Sequence, residues 1–196
     1  MILVVSALKG GVGKTTTAIY LAAVAAAGRR PVTLIDADPQ ASAAEWVETS
    51  EDEALAAITV VEAPTDRLLV RALGRHADGV VIVDSPPGQD RLLAKALERA
   101  SVAVVPTRVG GVETPRASAV LELVPEGLPA GLVIASARTF TRDYHDAIVE
   151  WGAAGVPVWG TVPERVAIAA GPTRWLSPEG IELHRAVWRR AQRAAR

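Results

Sequence analysis

Lys9-Gly10-Gly11-Val12-Gly13-Lys14-Thr15-Thr16 decides how the rest of the chain is read. The apolar run Ile2-Leu3-Val4-Val5 precedes it, and Thr17-Ala18-Ile19-Tyr20-Leu21-Ala22-Ala23, with the composition of a helix, follows. A short buried strand, a glycine-rich turn and a helix N-terminus in that order form a phosphate-binding loop. The glycines let backbone N–H groups close around a polyphosphate without interference from Cβ. Lys14 supplies a point charge for the outer phosphates, and the Thr15 hydroxyl suits a magnesium ligand. Leu8 stands where the usual pattern has a further glycine, and a second lysine, Lys9, stands beside it.

Composition narrows the chemistry. At 196 residues the chain reads as one domain, 1–196, long enough to bury a proper core. Its formal charge of −1 argues neither for nor against a nucleic-acid partner, so only local patches can. The absence of cysteine excludes a disulfide framework, an iron–sulfur cluster and a thiol nucleophile. Lys9, Lys14 and Lys95 are the only lysines, and two of them sit in the loop, where a compact ammonium does what a planar guanidinium cannot. Met1 leads straight into the first strand without a basic n-region, and the longest apolar run, Ala18 to Ala27, is roughly half a membrane span. These features predict a soluble, cytoplasmic protein.

Short β-branched runs alternate with helical segments along the chain, which predicts an α/β fold with a mainly parallel, twisted sheet and helices on both faces. Strands are expected at 2–7, 31–35, 58–61, 79–83, 101–106, 131–135 and 156–159. Helices are expected from the loop to Ala27 and at 41–49, 67–76, 90–98, 112–124, 142–152 and 179–195. Ser50-Glu51-Asp52-Glu53 reads as exposed connection, and 163–178 as loop with at most a short helix. The five tryptophans are dispersed and not interleaved with charge, which reads as packing rather than base stacking. His76, His145 and His184 have no metal-ligand spacing.

Ligands of open α/β sheets bind at the carboxyl ends of strands. Asp36 and Asp38 end the second strand in Asp36-Ala37-Asp38-Pro39-Gln40, and Asp84 ends the valine-rich run in Asp84-Ser85-Pro86-Pro87-Gly88. A carboxylate at the end of an apolar strand near a phosphate loop is the usual water-mediated holder of magnesium. Read alone, each of these acids is also an ordinary turn or helix-capping aspartate.

Taken together, the loop, Asp36-Ala37-Asp38-Pro39-Gln40 and Val83-Asp84-Ser85-Pro86-Pro87 resemble the deviant Walker A P-loop ATPases of the ParA/MinD class, with the Asp-x-Asp-Pro-Gln form pointing to the ParA branch. The resemblance implies ATP and Mg2+ as cofactors, with Gly10, Gly11, Val12, Gly13, Lys14, Thr15 and Thr16 around the phosphates. It implies that Lys14 binds the β- and γ-phosphates of its own nucleotide. Lys9 would reach across a nucleotide-sandwich homodimer. Thr15 and Asp84 would hold magnesium with Asp36 supporting the metal shell, and Asp38 would position the attacking water. Arg138, Pro163 and Glu164 would stand near the base, although Ser136 departs from the asparagine of many members. Ser85 to Gly88 would begin a switch loop.

The end of the chain offers one more surface. Arg185, Arg189, Arg193 and Arg196 follow at spacings of four, four and three, one stripe on a helix, with Leu183, Val187, Ala191 and Ala194 opposite. Such a stripe could track phosphates of non-specific DNA, or be the solvated face of a docked amphipathic helix. A membrane-surface helix, as in the MinD branch, would need larger apolar residues. The resemblance implies plasmid or chromosome partition, nucleoid association in the ATP state, and a small centromere-binding, ParB-like protein that stimulates slow hydrolysis. With the loop at residue 9, the short partition ATPases without an operator-binding extension are the nearest pattern. The same switch serving a protein assembly as cargo, and a P-loop synthetase of related fold, are the alternatives.

Overall fold

The computed structural model describes residues 1–7, 9–88, 90–110, 121–169 and 175–196. Among these, seven strands form one sheet: β1 (Ile2–Val5), β2 (Val32–Asp36), β3 (Ile58–Glu62), β4 (Val80–Asp84), β5 (Val102–Thr107), β6 (Ala130–Ala137) and β7 (Val158–Pro163). The order across the sheet is β3-β2-β4-β1-β5-β6-β7. Every pairing is parallel. The described helices are α1 (Lys14–Ala26), α2 (Ser42–Thr49), α3 (Glu53–Ala56), α4 (Asp66–Arg75), α5 (Asp90–Leu97), α6 (Arg142–Ala153), α7 (Val166–Ala169) and α8 (Pro178–Ala194).

Strand alternation sorts the core into two faces. Leu3, Val5, Leu34, Ile82 and Val104 point one way, into a layer closed by α1, α2, α3 and α8. Val4, Ile35, Val81, Val83 and Ala103 point the other way, against α4 and α5. Val105, Leu132 and Ile134 continue that second layer against α6 through Ala147 and Trp151. Helices therefore cover both faces, as the alternation of short apolar strands and helical segments requires. Four of the tryptophans, Trp46, Trp151, Trp159 and Trp188, are buried in packing roles, while Trp175 is 61% exposed.

Three boundaries differ from expectation. The last strand runs to Pro163 rather than ending at residue 159; it lies at the sheet edge, where a proline removes no needed ladder donor. The segment expected as connection at 50–53 starts α3, because Asp52 caps it by accepting from the Ala54 N–H at 2.9 Å. Asp52 also accepts from the Leu176 N–H at 2.7 Å, tying this cap to the entrance of α8. The first strand stops at Val5. Leu8, most of the helix expected at 112–124 and part of the 163–178 segment lie outside the described residues.

Candidate functional site

The carboxyl ends of the parallel strands share one edge, and β1 delivers the chain there into the glycine loop. Gly11 (φ 74°) and Gly13 (φ 91°) adopt the left-handed backbone that strains any residue with a Cβ. A Cβ on Gly13 would also stand 3.2 Å from that of Ala135, so the loop lies closely against β6. Gly13 is the N-cap of α1, provides no side-chain acceptor, and is followed by no acid in the first turn. The positive end of α1 is thereby left for an anion. Lys9, Gly10 and Gly11 are exposed, Val12 is buried, and Thr15 and Thr16 are half-buried.

Lys14 is 7% exposed, and its Nζ donates to the Lys9 carbonyl at 3.3 Å, folding the ammonium back over its own loop. Burial lowers its pKa, opposed by the charges of Asp84 and Asp38, so both acids face this lysine. The β1–β4 register sets Val5 opposite Asp84, and the β2–β4 register sets Asp36 opposite Asp84. Three strand ends thus converge on the first turn of α1.

Asp84 is 1% exposed and accepts a 2.7 Å hydrogen bond from the Thr15 hydroxyl through Oδ2. Its Oδ1 is buried without a partner. Desolvation raises its pKa to about 7, despite the Thr15 hydrogen bond and the Lys14 charge that pull it down. Asp36 is fully buried and differently used. Its Oδ1 accepts from the Asp38 N–H at 3.0 Å, and its Oδ2 from the Ala43 and Ala44 N–H groups at 2.8 and 3.0 Å. Burial still raises its pKa, against those three backbone donors. Asp36 therefore anchors the turn that presents Asp38 and caps α2, where the resemblance implied a supporting place in a metal shell. Asp38 is half-buried, with Oδ1 accepting from the Gln40 N–H at 2.9 Å.

These donors fit magnesium. A hydroxyl and a buried carboxylate with one orphaned oxygen stand at the mouth of a phosphate loop. Among the described residues no cluster of three or more His, Asp or Glu forms an all-protein metal site. Magnesium is commonly held by one or two protein oxygens together with waters and substrate phosphates.

A cavity of about 270 Å³ opens beside the loop, from Gly13 and Lys14 past Thr16 to Val162, Pro163 and Ile168. Arg108, just past β5, Arg165 and His184 also line it; Arg165 belongs to the segment 162–166 that resembles a loop beside the base, whereas Arg108 and His184 were not singled out from the sequence as contacts. Arg108 follows the last residue of β5, Thr107, and strand ends are the signal that could have found it. Pro163 is on the wall. Arg138 and Glu164 instead pair with each other at 2.7 Å on the exposed rim. Each holds the other in its charged form, the arginine pKa raised and the glutamate pKa lowered by that hydrogen bond. The arginines of the stripe lie apart: Arg189 and Arg193 are exposed on the outer side of α8, Arg185 pairs with Glu182, and Arg196 is exposed beyond the helix end.

Residues 3–177 match the family described as the CobQ/CobB/MinD/ParA nucleotide binding domain. The chain belongs to that family. Within the MinD/ParA group, it is 44% identical over 102 residues to the maintenance of carboxysome distribution protein A of Gloeobacter kilaueensis, covering 50% of this chain and 45% of that protein. It is 33% identical over 128 residues to the protein ParA of Rhizobium radiobacter, covering 64% of this chain and 56% of that protein. The chain spans about half the length of these curated relatives. Among solved structures, a putative plasmid partition protein of Borrelia burgdorferi bound to AMPPNP superimposes with a TM-score of 0.77 at 20% identity, over 96% of both chains. MinD of Aquifex aeolicus gives 0.75 at 17% identity, over 98% of this chain and 97% of that one. At such identities the likeness shows the fold, which is the P-loop fold of ParA/MinD-type ATPases.

Proposed function

We propose that residues 1–196 act as one ATPase domain that dimerises on ATP and positions a cargo, with plasmid or chromosomal DNA as that cargo. The observation that carries this reading is the convergence of Lys14, Thr15, Asp84 and Asp38 on one glycine loop that bears a second, exposed lysine. Lys14 binds the outer phosphates of its own nucleotide, and the α1 N-terminus and loop amides hold the rest. Thr15 and Asp84 hold Mg2+, which when bound neutralises charge on the β- and γ-phosphate oxygens. Asp38 orients the attacking water from the turn that Asp36 fixes. Lys9 reaches the phosphates of the partner subunit, so that triphosphate and dimer are sensed together. Catalysis here is positioning and charge stabilisation, and slow turnover awaits a ParB-like stimulator. The ATP dimer holds nucleoid DNA through the Arg185, Arg189, Arg193 and Arg196 stripe.

Size-exclusion chromatography with light scattering on wild type and Asp38→Ala tests this. A dimer that forms with ATP and is trapped in the variant is expected; a monomer under every nucleotide condition overturns the reading.

A second reading keeps the switch and changes the cargo to a protein assembly. The similarity to a carboxysome distribution protein favours it. Co-purification separates the two: a small DNA-binding protein captured with ATP supports partition, and a component of a protein shell supports the alternative. A membrane role draws less support. The apolar side of α8 is buried through Val187, Trp188 and Ala191, and among the described residues no helix is long and apolar enough to cross a membrane.

A further inference from the structure

His184 lies on the wall of the cavity that begins at the phosphate loop, yet it comes from α8, the last helix of the chain. It is 1% exposed and stacks on Tyr20 of α1, with ring centroids 4.8 Å apart and planes within 15°. Its Nδ1 lies 2.7 Å from the Gly180 carbonyl oxygen one turn earlier. A carbonyl can only accept, so Nδ1 carries the proton. Burial lowers the His184 pKa to about 4, and the ring is neutral near pH 7. Its Nε2 is therefore a bare acceptor, and Gly180 is the one hydrogen-bond partner of the ring among the described residues.

The ring is held in place before any ligand arrives. A Cβ on Gly180 would stand 2.5 Å from the Tyr20 ring, so α8 begins in direct contact with α1. The Tyr20 hydroxyl accepts from the Ser177 N–H at 2.9 Å and fixes the same junction. Tautomer, ring plane and position are all set by the fold.

The cavity has two chemically different parts. Gly13, Lys14, Thr15 and Thr16 make a polar end suited to phosphates, and Val162, Pro163 and Ile168 make an apolar stretch suited to a flat ring. A nucleotide seated on the loop places its base in the apolar stretch, where Thr17, Ser136, Arg108 and Arg165 are the other polar residues of the wall beyond the phosphate end. Adenine carries an amino donor where guanine carries a carbonyl acceptor. The ring acceptor that His184 adds to the wall favours the first. It leaves the second facing a lone pair, with two buried acceptors unpaired.

We propose that His184 determines base specificity: its Nε2 accepts a hydrogen bond from the exocyclic amino group of adenine. The proposal rests on the reading of this cavity as the ATP site. Fluorescent N-methylanthraniloyl derivatives of ATP and GTP, titrated into the full chain, separate the two ideas. Wild type binds the adenine nucleotide more tightly. His184→Phe keeps a ring against Tyr20 and removes the acceptor, and the preference falls about tenfold. His184→Gln, whose Oε1 can reach a similar place, retains most of it. An unchanged preference in folded His184→Phe overturns the proposal and leaves the ATP site standing. Wild type that binds neither nucleotide overturns the ATP site itself. A second readout needs no variant: in ¹⁵N-histidine-labelled wild type at pH 6, His184 stays unprotonated with its proton on Nδ1. Its Nε2 resonance shifts with saturating ATP and not with GTP. A resonance that ATP leaves in place overturns the proposal even where His184→Phe fails to fold.

Discussion

Thr15 and Asp84, 69 residues apart in sequence, meet through a 2.7 Å hydrogen bond that uses one carboxylate oxygen and leaves the other, Oδ1, buried and unpartnered. An unpaired buried carboxylate costs the fold free energy unless something else neutralises it. The magnesium ion proposed for this site would take up that oxygen together with waters and substrate phosphates.

Replacing Asp84 separates stability from function. Asp84→Asn keeps the volume and removes the buried charge. ATP hydrolysis is expected to fall by about 100-fold or more, the scale of losing a transition-state charge stabiliser. In EDTA at pH 8 the variant is expected to melt at or above the wild-type temperature, the usual trade between an active site and stability. A lower melting temperature would show that the carboxylate supports the fold rather than the metal.

Asp52 is a structural counterpart. Its two oxygens join the cap of α3 to the Leu176 N–H, 124 residues away. Asp52→Ala strands a half-buried amide and uncaps a short helix, and urea denaturation is expected to show a loss of about 1–3 kcal/mol. A change within about 0.5 kcal/mol would mean that water replaces both bonds.

The sequence carried the phosphate loop and the strand-end acids because each is a local pattern: an apolar run, then glycines or a carboxylate. It carried the parallel sheet for the same reason. Three things were not legible, and each depends on contacts made only on folding. Asp36 and Asp38 stand in one motif, but only the turn shows the first tied to three backbone N–H groups and the second presented toward Lys14. Arg138 and Glu164, 26 residues apart, neutralise each other on the rim, a pairing no spacing announces. His184 looks like any residue of an amphipathic helix until α8 docks on α1 and turns its ring toward the cavity.

That docking gives His184 a predictable pH signature. Tyr20 faces it from α1, and Lys14, Arg108 and Arg165 line the same cavity, so among the described residues burial and the Gly180 carbonyl set its titration rather than a neighbouring acid. Its pKa is about 4 in the fold against 6.5 for an ordinary histidine. A depressed pKa means that the unfolded chain binds the proton first. The contribution is full above pH 6.5 and is lost as pH falls toward 4, by at most about 3 kcal/mol. Stability curves of wild type and His184→Phe between pH 4 and 7.5 check this: the wild-type curve is expected to fall more steeply on the acid side, and parallel curves would contradict a buried neutral histidine.

Neighbouring arginines on α8 should separate by role. Arg190 donates through Nη1 to the carbonyls of Val158 and Trp159, each at 2.8 Å, and so pins the helix to the edge strand β7. Arg189 and Arg193 are exposed on the outer side of the same helix. Arg190→Glu is expected to cost about 1–3 kcal/mol of stability by unpairing those carbonyls. Arg189→Glu with Arg193→Glu is expected to leave stability within about 0.5 kcal/mol. If the stripe tracks phosphates, the double variant weakens retention of non-specific DNA by the ATP-bound protein. It also flattens the dependence of log K on log salt by about 2 units for each subunit engaged. Filter binding from low to moderate salt measures that slope. A double variant with the wild-type slope places the DNA surface off α8, whatever the cargo proves to be.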